Sequence, residues 1–391
     1  MAASPPDEIA VAAGSAVVGR PTELAALAAA VDAVAAGGSR VLLLSGEPGI
    51  GKTALLQCGA AAADRAGLRV ISGRAAEQEE DVPFGLVVDA LDDELDTLPP
   101  ARRERLRPDL ATALPSLRDR TAAADGVTDP VQRLALNRAL RSFVDELAAD
   151  GALAIVLDDL HWADEASLDW VLHLMRRPTR APHLLLLAVR PVAPLGLLLE
   201  AQRNSVPGEH LEIGPLSRTA AAELLSDVES TARRDRYLDE AGGNPLFLGG
   251  LARLTGDDDR LPATVLAAVG LEVSALDREA RALLEGASVA GDPFDADLAL
   301  DASDLGPDRL DVLDRLVTAD LVRPTGGRSF AFRHPLVRRA VSDAMPAAAR
   351  IEAHARTAVA LTARGAPLEV RAHHVERSAR RGDATAATVL V

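Results

Sequence analysis

The stretch SGEPGIGKTALL, residues 45–56, determines how the whole sequence is interpreted. Its central residue, Lys52, is the only lysine among the 42 basic residues of the 391-residue chain. Every other basic position is an arginine, so the general composition does not account for an ammonium group here. Lys52 therefore marks a position at which the shape of the side chain matters as well as its charge.

The residues around Lys52 fit the pattern of a phosphate-binding loop, or P-loop. This pattern requires a strand before the loop and a helix after it. RVLLLSG is a continuous apolar run that predicts a buried strand, and a helix is predicted from residue 52 to about residue 64. Glycines let successive backbone N–H groups face an anion at the positive end of the helix dipole. The alternative is a flexible glycine-rich turn without a ligand.

The side chains of the loop have predicted roles in binding ATP or ADP. Lys52 would reach the outer phosphates, for which the planar guanidinium of arginine has the wrong shape. Thr53 would offer its hydroxyl to Mg²⁺. The predicted nucleotide-binding residues are those of the loop and the one that follows it: Gly46, Glu47, Pro48, Gly49, Ile50, Gly51, Lys52, Thr53 and Ala54.

A second stretch, IVLDDLHWAD at residues 155–164, places two carboxylates after an apolar run. Asp158 is predicted to hold Mg²⁺, and Asp159 to polarise the attacking water. Acid pairs end many strands, so this interpretation depends on the P-loop. Arg190 ends the run LLLLAVR and would reach the terminal phosphate from the same sheet edge; the alternative is a solvated arginine. The predicted catalytic residues are thus Asp159, Lys52 and Arg190.

The order of the predicted elements indicates the fold class. Strands alternate with helices up to about residue 196, which is typical of a parallel α/β sheet. The run HLEIGPLS predicts a last short strand and turn, and Ser217 is predicted to cap the helix that follows. From there to residue 391 the sequence is nearly all helical, except for a ribbon, LVRPTGGRSFAF, with Gly326 and Gly327 in its turn. Helices followed by such a ribbon indicate a winged helix. Paired amphipathic helices at the end indicate the start of a repeat array, so we expect a fragment of a longer protein.

Composition excludes several classes of protein. The net charge of −16 disfavours a general nucleic-acid-binding face. The single cysteine, Cys58, rules out an intrachain disulfide framework and fits a reducing compartment. The N-terminus lacks the basic region of a signal peptide, and no apolar run approaches the roughly 20 residues that span a bilayer. We expect a cytoplasmic protein without a membrane partner.

Six stretches, in chain order, resemble a known class of proteins: VVGRPTEL, SGEPGIGKTALL, IVLDDLHWADEASL, LLLLAVRP, GGNPLFL and FAFRHPLVRRAV. They resemble the signal-transduction ATPases with numerous domains, the STAND ATPases. Within these they are most similar to the large ATP-binding LuxR-type transcriptional regulators of actinobacteria. The resemblance extends over about residues 16–390. The P-loop is shared by many families, whereas its combination with LHWAD and GNPLFL is much more specific.

The resemblance implies a P-loop NTPase fold with an AAA+/STAND-like parallel sheet, followed by helical domains. The implied segments are a flexible leader at 1–16, the ATPase α/β domain at 17–197, a helical lid at 198–258, a winged helix at 259–345 and the start of a tetratricopeptide-like region at 346–391.

The resemblance also implies three nucleotide contacts outside the loop. Arg20, with Gly19, would lie by the adenine, and Pro245 would contact the base or the ribose from the lid. His334 falls where related switches place a winged-helix histidine on the ADP phosphate. For His334 the alternative is a packing residue between the hairpin and the next helix.

Proteins of this class are switches that ADP holds closed and that ATP and a signal open. The implied properties are slow hydrolysis and self-association in the ATP state. An inducer would act through C-terminal repeats, and DNA would bind only to a C-terminal helix-turn-helix; both lie outside this sequence. Two alternatives stay open: the ATPase module of a nucleotide cyclase or protein kinase, and a ring-forming AAA+ motor.

Overall fold

The computed structural model describes residues 17–80, 82–117, 130–149, 151–192, 194–254, 261–306 and 308–379. The chain divides into two compact units, Met1–Leu216 and Ser217–Val391. The predicted leader at 1–16 lies outside the described residues, as do residues 255–258 of the predicted lid and residues 380–391 of the predicted repeat.

The described part of the first unit alternates strands with helices. Its strands are β1 (Arg40–Gly46), β2 (Arg69–Arg74), β3 (Leu153–Asp158), β4 (His183–Val189) and β5 (Gly208–Ile213). Its α-helices are α1 (Pro21–Ala35), α2 (Lys52–Arg65), α3 (Gly85–Leu91), α4 (Pro100–Leu110), α5 (Pro130–Leu147), α6 (Glu165–Arg176) and α7 (Pro194–Arg203). The α/β alternation predicted from the sequence is confirmed.

The five strands form one parallel sheet in the order β2-β3-β4-β1-β5. β1 and β4, which each lie between two other strands, are apolar on both faces because helices cover both sides of the sheet. In β1, Val41 and Leu43 belong to one hydrophobic core, and Leu42 and Leu44 belong to the core on the other face. This alternation fixes the register of the strand that leads into the P-loop.

The first unit includes the last short strand, which the run HLEIGPLS predicts. This strand, β5, follows residue 197, the predicted end of the ATPase domain, and it pairs with β1 from Val41 opposite Gly208 to Gly46 opposite Ile213. The unit ends at Leu216. Ser217 then caps the next helix by accepting a hydrogen bond from the Ala220 N–H, as its position in the sequence predicts.

The described part of the second unit is mainly helical. Its helices are α8 (Arg218–Leu224), α9 (Thr231–Ala241), α10 (Pro245–Ala252), α11 (Ala263–Ser274), α12 (Arg278–Ala290), α13 (Ala296–Ser303), α14 (Asp311–Thr318), α15 (Pro335–Ala344), α16 (Ala347–Ala363) and α17 (Leu368–Ser378). The predicted ribbon is present as β7 (Val322–Gly326) and β8 (Ser329–Phe332). A two-residue strand, β6 (Phe294–Asp295), joins its edge through β8.

Phe294 explains why so short a strand is held. Its ring is buried and lies 6.0 Å from the ring of Phe330 and 5.7 Å from that of Phe332, measured between centroids. Aromatic contacts of this kind stabilise a strand pair beyond its backbone hydrogen bonds. It stays a prediction that this region is a winged helix. It also stays a prediction that the last helices begin a tetratricopeptide-like repeat. Among the described helices, none is long and apolar enough to cross a membrane.

Candidate nucleotide site

The P-loop runs from the end of β1 to the start of α2, as the sequence pattern predicts. Gly51 precedes the first residue of α2 and has a left-handed backbone with φ of +105°, which favours glycine. Gly46 is required for a different reason, because a Cβ atom there would lie 2.7 Å from the carbonyl oxygen of Ile213. Gly51 has no side chain to cap α2, so the N–H groups of the first turn remain donors for an anion.

The ammonium group of Lys52 is folded onto its own loop. The side chain is 6% exposed, and Nζ donates hydrogen bonds to the carbonyls of Gly46 at 2.8 Å and Glu47 at 2.9 Å. Burial, and after it the charge of Arg190, lower the pKa of Lys52 from 10.5 to about 8. At neutral pH the group is still mostly charged. It is a desolvated cation, whose attraction for an anion is stronger than that of a surface lysine.

Thr53 and Asp158 meet at the carboxyl edge of the sheet. The Thr53 hydroxyl donates to Oδ2 of Asp158 at 2.7 Å, and the Asp159 N–H donates to Oδ1 of Asp158 at 2.8 Å. Burial and the neighbouring charge of Asp159 raise the pKa of Asp158, against these two hydrogen bonds. The predicted Mg²⁺ ligands are therefore in contact, although 105 residues separate them in the sequence.

Asp159 is held by a residue that the sequence analysis did not single out. Arg74, the last residue of β2, donates to Oδ2 of Asp159 from Nε at 2.9 Å and from Nη2 at 2.6 Å. In the register of β2 and β3, Arg74 lies opposite Asp158. The sequence shows only that an arginine ends this strand. Its contact with Asp159 requires that β2 lies beside β3, and the sequence pattern does not specify the order of the strands.

Arg190 follows β4 directly and contacts the turn after Asp159. Its guanidinium carbon lies 5.6 Å from the centroid of the Trp162 ring, a cation–π distance. The ring of His161 lies 5.1 Å from the same ring. Trp162 thus orients the arginine that is predicted to contact the terminal phosphate.

His161 is a neutral imidazole among cations. Burial lowers its pKa from 6.5 to about 3, and the charges of Arg190, Lys52 and Arg74 add to this effect. Both ring nitrogens are buried without a hydrogen-bond partner in the part of the chain that the structure describes. His161 thus lies within reach of three positive charges, in a region that also holds the carboxylates of Asp158 and Asp159.

Arg20 lies on the other side of the loop. Its guanidinium is buried and donates to the carbonyl of Ile50 at 3.2 Å, to the carbonyl of Gly214 at 2.6 Å and to the carboxylate of Glu23 at 3.1 Å. These contacts are with the protein itself. The contact with adenine that the resemblance implies stays a prediction.

Pro245 and His334 belong to the second unit. Pro245 is the first residue of α10, and His334 caps α15 by accepting a hydrogen bond from the Leu336 N–H at its Nδ1. The buried ring of His334 lies 4.8 Å from that of Phe247, which is in α10. The structure thus brings the stretches GNPLFL and FRHPLV together within this unit. Their predicted contacts with nucleotide stay predictions.

The residues at the loop fit a nucleotide with Mg²⁺. The hydroxyl of Thr53 and the carboxylate of Asp158 are hard oxygen donors, which Mg²⁺ prefers, and they are already within 2.7 Å of each other. Lys52 and the N–H groups at the start of α2 provide positive charge and donors for phosphate oxygens. The chemistry of the donor set therefore matches the cofactors that the sequence predicts.

The first part of the chain matches a model of a known protein family. Residues 16–187 match the family model of the AAA ATPase domain. No curated protein matches the sequence. This part of the chain is thus similar to an AAA ATPase domain, and its parallel sheet and P-loop are those of the P-loop NTPase fold.

Three solved structures resemble this chain to different degrees. The Walker-type ATPase of Pyrococcus abyssi is 14% identical, over 83% of this chain and 96% of that protein, with a TM-score of 0.50. The STAND protein with a tetratricopeptide repeat sensor from Pyrococcus horikoshii is 15% identical over 90% of this chain, with a TM-score of 0.35. The Orc1 protein of Aeropyrum pernix, solved in complex with DNA, is 17% identical over 84% of this chain and 93% of that protein, with a TM-score of 0.45.

The similarity to the Pyrococcus abyssi structure indicates a shared fold and nothing about partners or substrates. The chain spans about half, 47%, of the length of the Pyrococcus horikoshii protein.

Proposed function

We propose that this chain is the nucleotide switch of a signal-responsive regulator of the STAND class. It binds ATP and ADP with Mg²⁺, hydrolyses ATP slowly and self-associates in the ATP state. The observation that carries the proposal is the group formed at the sheet edge by Lys52, Thr53, Asp158 and Asp159.

The roles of these residues follow from their chemistry. Lys52 binds the outer phosphates through a desolvated ammonium group, and Thr53 and Asp158 hold the cation. Bound Mg²⁺ would neutralise negative charge on the phosphate oxygens. Asp159 accepts a hydrogen bond from the attacking water and aligns it. Arg190, supported by Trp162, stabilises the charge on the terminal phosphate.

The contact between Arg74 and Asp159 supports slow hydrolysis. A carboxylate that accepts two hydrogen bonds from a guanidinium is a poorer acceptor for a water proton, because its charge is already compensated. Arg74 must move away, or Asp159 must share its oxygen, before Asp159 can act on water. A site built in this way retains nucleotide for longer than one whose base is free.

The kind of regulator is proposed from the resemblance of the six sequence stretches. By this resemblance the regulator is a LuxR-type transcription factor, in which an inducer acts through C-terminal repeats and DNA binds to a C-terminal domain. The net charge of −16 fits a separate DNA-binding domain, since an acidic chain repels the phosphate backbone of DNA. The winged helix and the lid, with Pro245 and His334, belong to the same proposal.

The test is to measure nucleotide binding, turnover and assembly on one preparation. We expect the wild-type chain to bind ADP and ATP with Mg²⁺, to release phosphate slowly in the steady state and to increase in mass with ATP in light scattering. Asp159→Asn should bind ATP within about twofold of wild type and lose most of its turnover, since it removes an interaction of the chemical step. The matched control is Asp64→Asn. Asp64 is an exposed acid on α2, so this change should alter neither the ATP affinity nor the turnover.

The alternatives give different results in the same experiment. Rapid turnover by a stable hexamer would favour the AAA+ motor over the switch. No nucleotide binding at all would reject the proposal. A module that regulates a cyclase or a protein kinase would share the slow turnover, and is distinguished when the full-length protein is assayed for those two activities.

A further inference from the structure

Arg20 connects two parts of the first unit that are far apart in the sequence. One of its nitrogens, Nη2, donates both to the carbonyl of Ile50, at 3.2 Å, and to the carbonyl of Gly214, at 2.6 Å. Ile50 lies inside the P-loop, and Gly214 directly follows β5. Nη1 is fixed by the carboxylate of Glu23, one turn into α1. A single buried guanidinium thus joins the loop to the end of the edge strand.

The loop is held at its other end by the same strand. Gly46 lies opposite Ile213 in the register of β1 and β5, at the close approach that excludes a Cβ atom. The first residue of the loop is therefore anchored to β5 through the sheet, and Ile50 is anchored to it through Arg20. The loop is therefore tied at two points to residues 213 and 214.

The burial of Arg20 indicates that this connection has a function. The side chain is 6% exposed, and removing a guanidinium from water is unfavourable unless its donors are satisfied. Here they are satisfied mainly by backbone carbonyls, so the charge organises the backbone. A lysine has no planar fork with which to bridge an acid and two carbonyls in this way.

We propose that Arg20 is a positioning residue that couples the shape of the P-loop to the chain that leaves β5. The proposal rests on the nucleotide binding proposed above, and it assigns Arg20 a role other than contact with adenine. Because coupling is reciprocal, phosphate in the loop should order residues 213–216, and loosening these residues should weaken phosphate binding.

The two roles predict different ligand dependence. A residue that contacts adenine affects the binding of ADP and leaves the binding of inorganic pyrophosphate unchanged. A residue that shapes the loop affects both, because both ligands place phosphates in the loop. The ratio of the two affinities therefore separates positioning from base recognition, and it does not depend on the fraction of the protein that is folded.

The experiment compares Arg20→Gln and Arg20→Lys with wild type. Binding of Mg·ADP and of Mg·pyrophosphate is measured by calorimetry. We expect Arg20→Gln to weaken both about tenfold, or by about 1.4 kcal/mol, with an unchanged ratio. Arg20→Lys keeps the charge beside Glu23 and should bind both ligands more tightly than Arg20→Gln does. If Arg20→Gln does not fold, the two affinities are compared in Arg20→Lys and wild type. The matched control is Arg40→Gln, at the start of β1, where the side chain donates to the carbonyl of the adjacent Ser39.

Hydrogen exchange supplies the second measurement. In wild type, Mg·ADP should slow exchange of the amides at residues 213, 214 and 216, and in Arg20→Gln this difference should disappear. A loss of ADP affinity alone would assign Arg20 to the base and overturn the proposal, as would unchanged affinities for both ligands. A wild-type chain that binds neither ligand would instead reject the proposed function.

Discussion

The guanidinium of Arg74 and the carboxylate of Asp159 form a two-donor contact in which only one partner is fixed. Asp159 is 18% exposed and has a left-handed backbone, with φ of +53°, at the end of β3. Arg74 is 65% exposed. The carboxylate is thus held by its turn, whereas the arginine can move into solvent. Departure of Arg74 would leave Asp159 in place and available to a water molecule.

The first prediction is that Arg74→Ala hydrolyses ATP faster than wild type. A partly exposed ion pair is worth about 0.5–1 kcal/mol, so the turnover number should rise about two- to fivefold with little change in ATP affinity. Phosphate release at saturating ATP checks this. Arg74→Lys, which keeps one charged donor, should lie closer to wild type. Slower turnover in Arg74→Ala would mean that Arg74 positions Asp159 for catalysis and does not restrain it.

The second prediction concerns the single lysine. Lys52→Ala and Lys52→Arg should both weaken nucleotide binding about tenfold or more, equivalent to about 1.4 kcal/mol. The buried side chain bonds the carbonyls at the start of its own loop, and the larger planar group of arginine does not fit that space. The control is Arg65→Lys, which makes the opposite exchange at an exposed position of the same helix. Equal affinity of wild type and Lys52→Arg in calorimetry would reject the requirement for an ammonium group.

The sequence predicted the P-loop half of the site because its determinants are local. The apolar run before Gly46 and the helix from Lys52 fix the loop by themselves. The contact of Thr53 with Asp158 follows once IVLDD is recognised as another strand of the same parallel sheet, because the carboxyl ends of such strands share one edge.

The remaining contacts depend on strand order, which is a tertiary property. Arg74 could be paired with Asp159 only after β2 was known to lie beside β3. The bond from Arg20 to Gly214 spans 194 residues, and its acceptor is a backbone carbonyl, which leaves no signature in the sequence. β6, with two residues, is shorter than any periodic pattern can reveal.

The third prediction tests His334. Its buried ring contacts Phe247 and caps α15, so His334→Ala should lower the melting temperature whether or not the residue also contacts nucleotide. The resemblance predicts in addition that ADP is released about tenfold faster, because a contact made only in the closed state favours that state. Stopped-flow release of a fluorescent ADP analogue gives the rate. An unchanged rate in folded protein would remove His334 from the nucleotide site and leave it as a packing residue.

The fourth prediction concerns stability in acid and two buried histidines of the second unit. Nδ1 of His354 in α16 lies 3.0 Å from Nδ1 of His374 in α17, so one ring donates a hydrogen bond to the other. Burial lowers the pKa of both residues from 6.5 to about 4. The charge of Arg377 and that of the neighbouring His373 act on both in the same direction.

The sign follows from proton uptake. Between pH 6.5 and pH 4 the unfolded chain binds protons at these histidines and the folded chain does not, so stability falls as the pH falls through this range. Above pH 6.5 the two neutral rings contribute fully to the stability of the folded chain. Below about pH 4 the stability does not fall further on their account. His374→Gln removes one of the two groups and should make the melting temperature less dependent on pH between 7 and 4.5. Glu369→Gln, at an exposed position of the same helix that does not contribute to either pKa shift, should retain the wild-type slope. Equal slopes for wild type and His374→Gln would show that the pair does not control stability in acid.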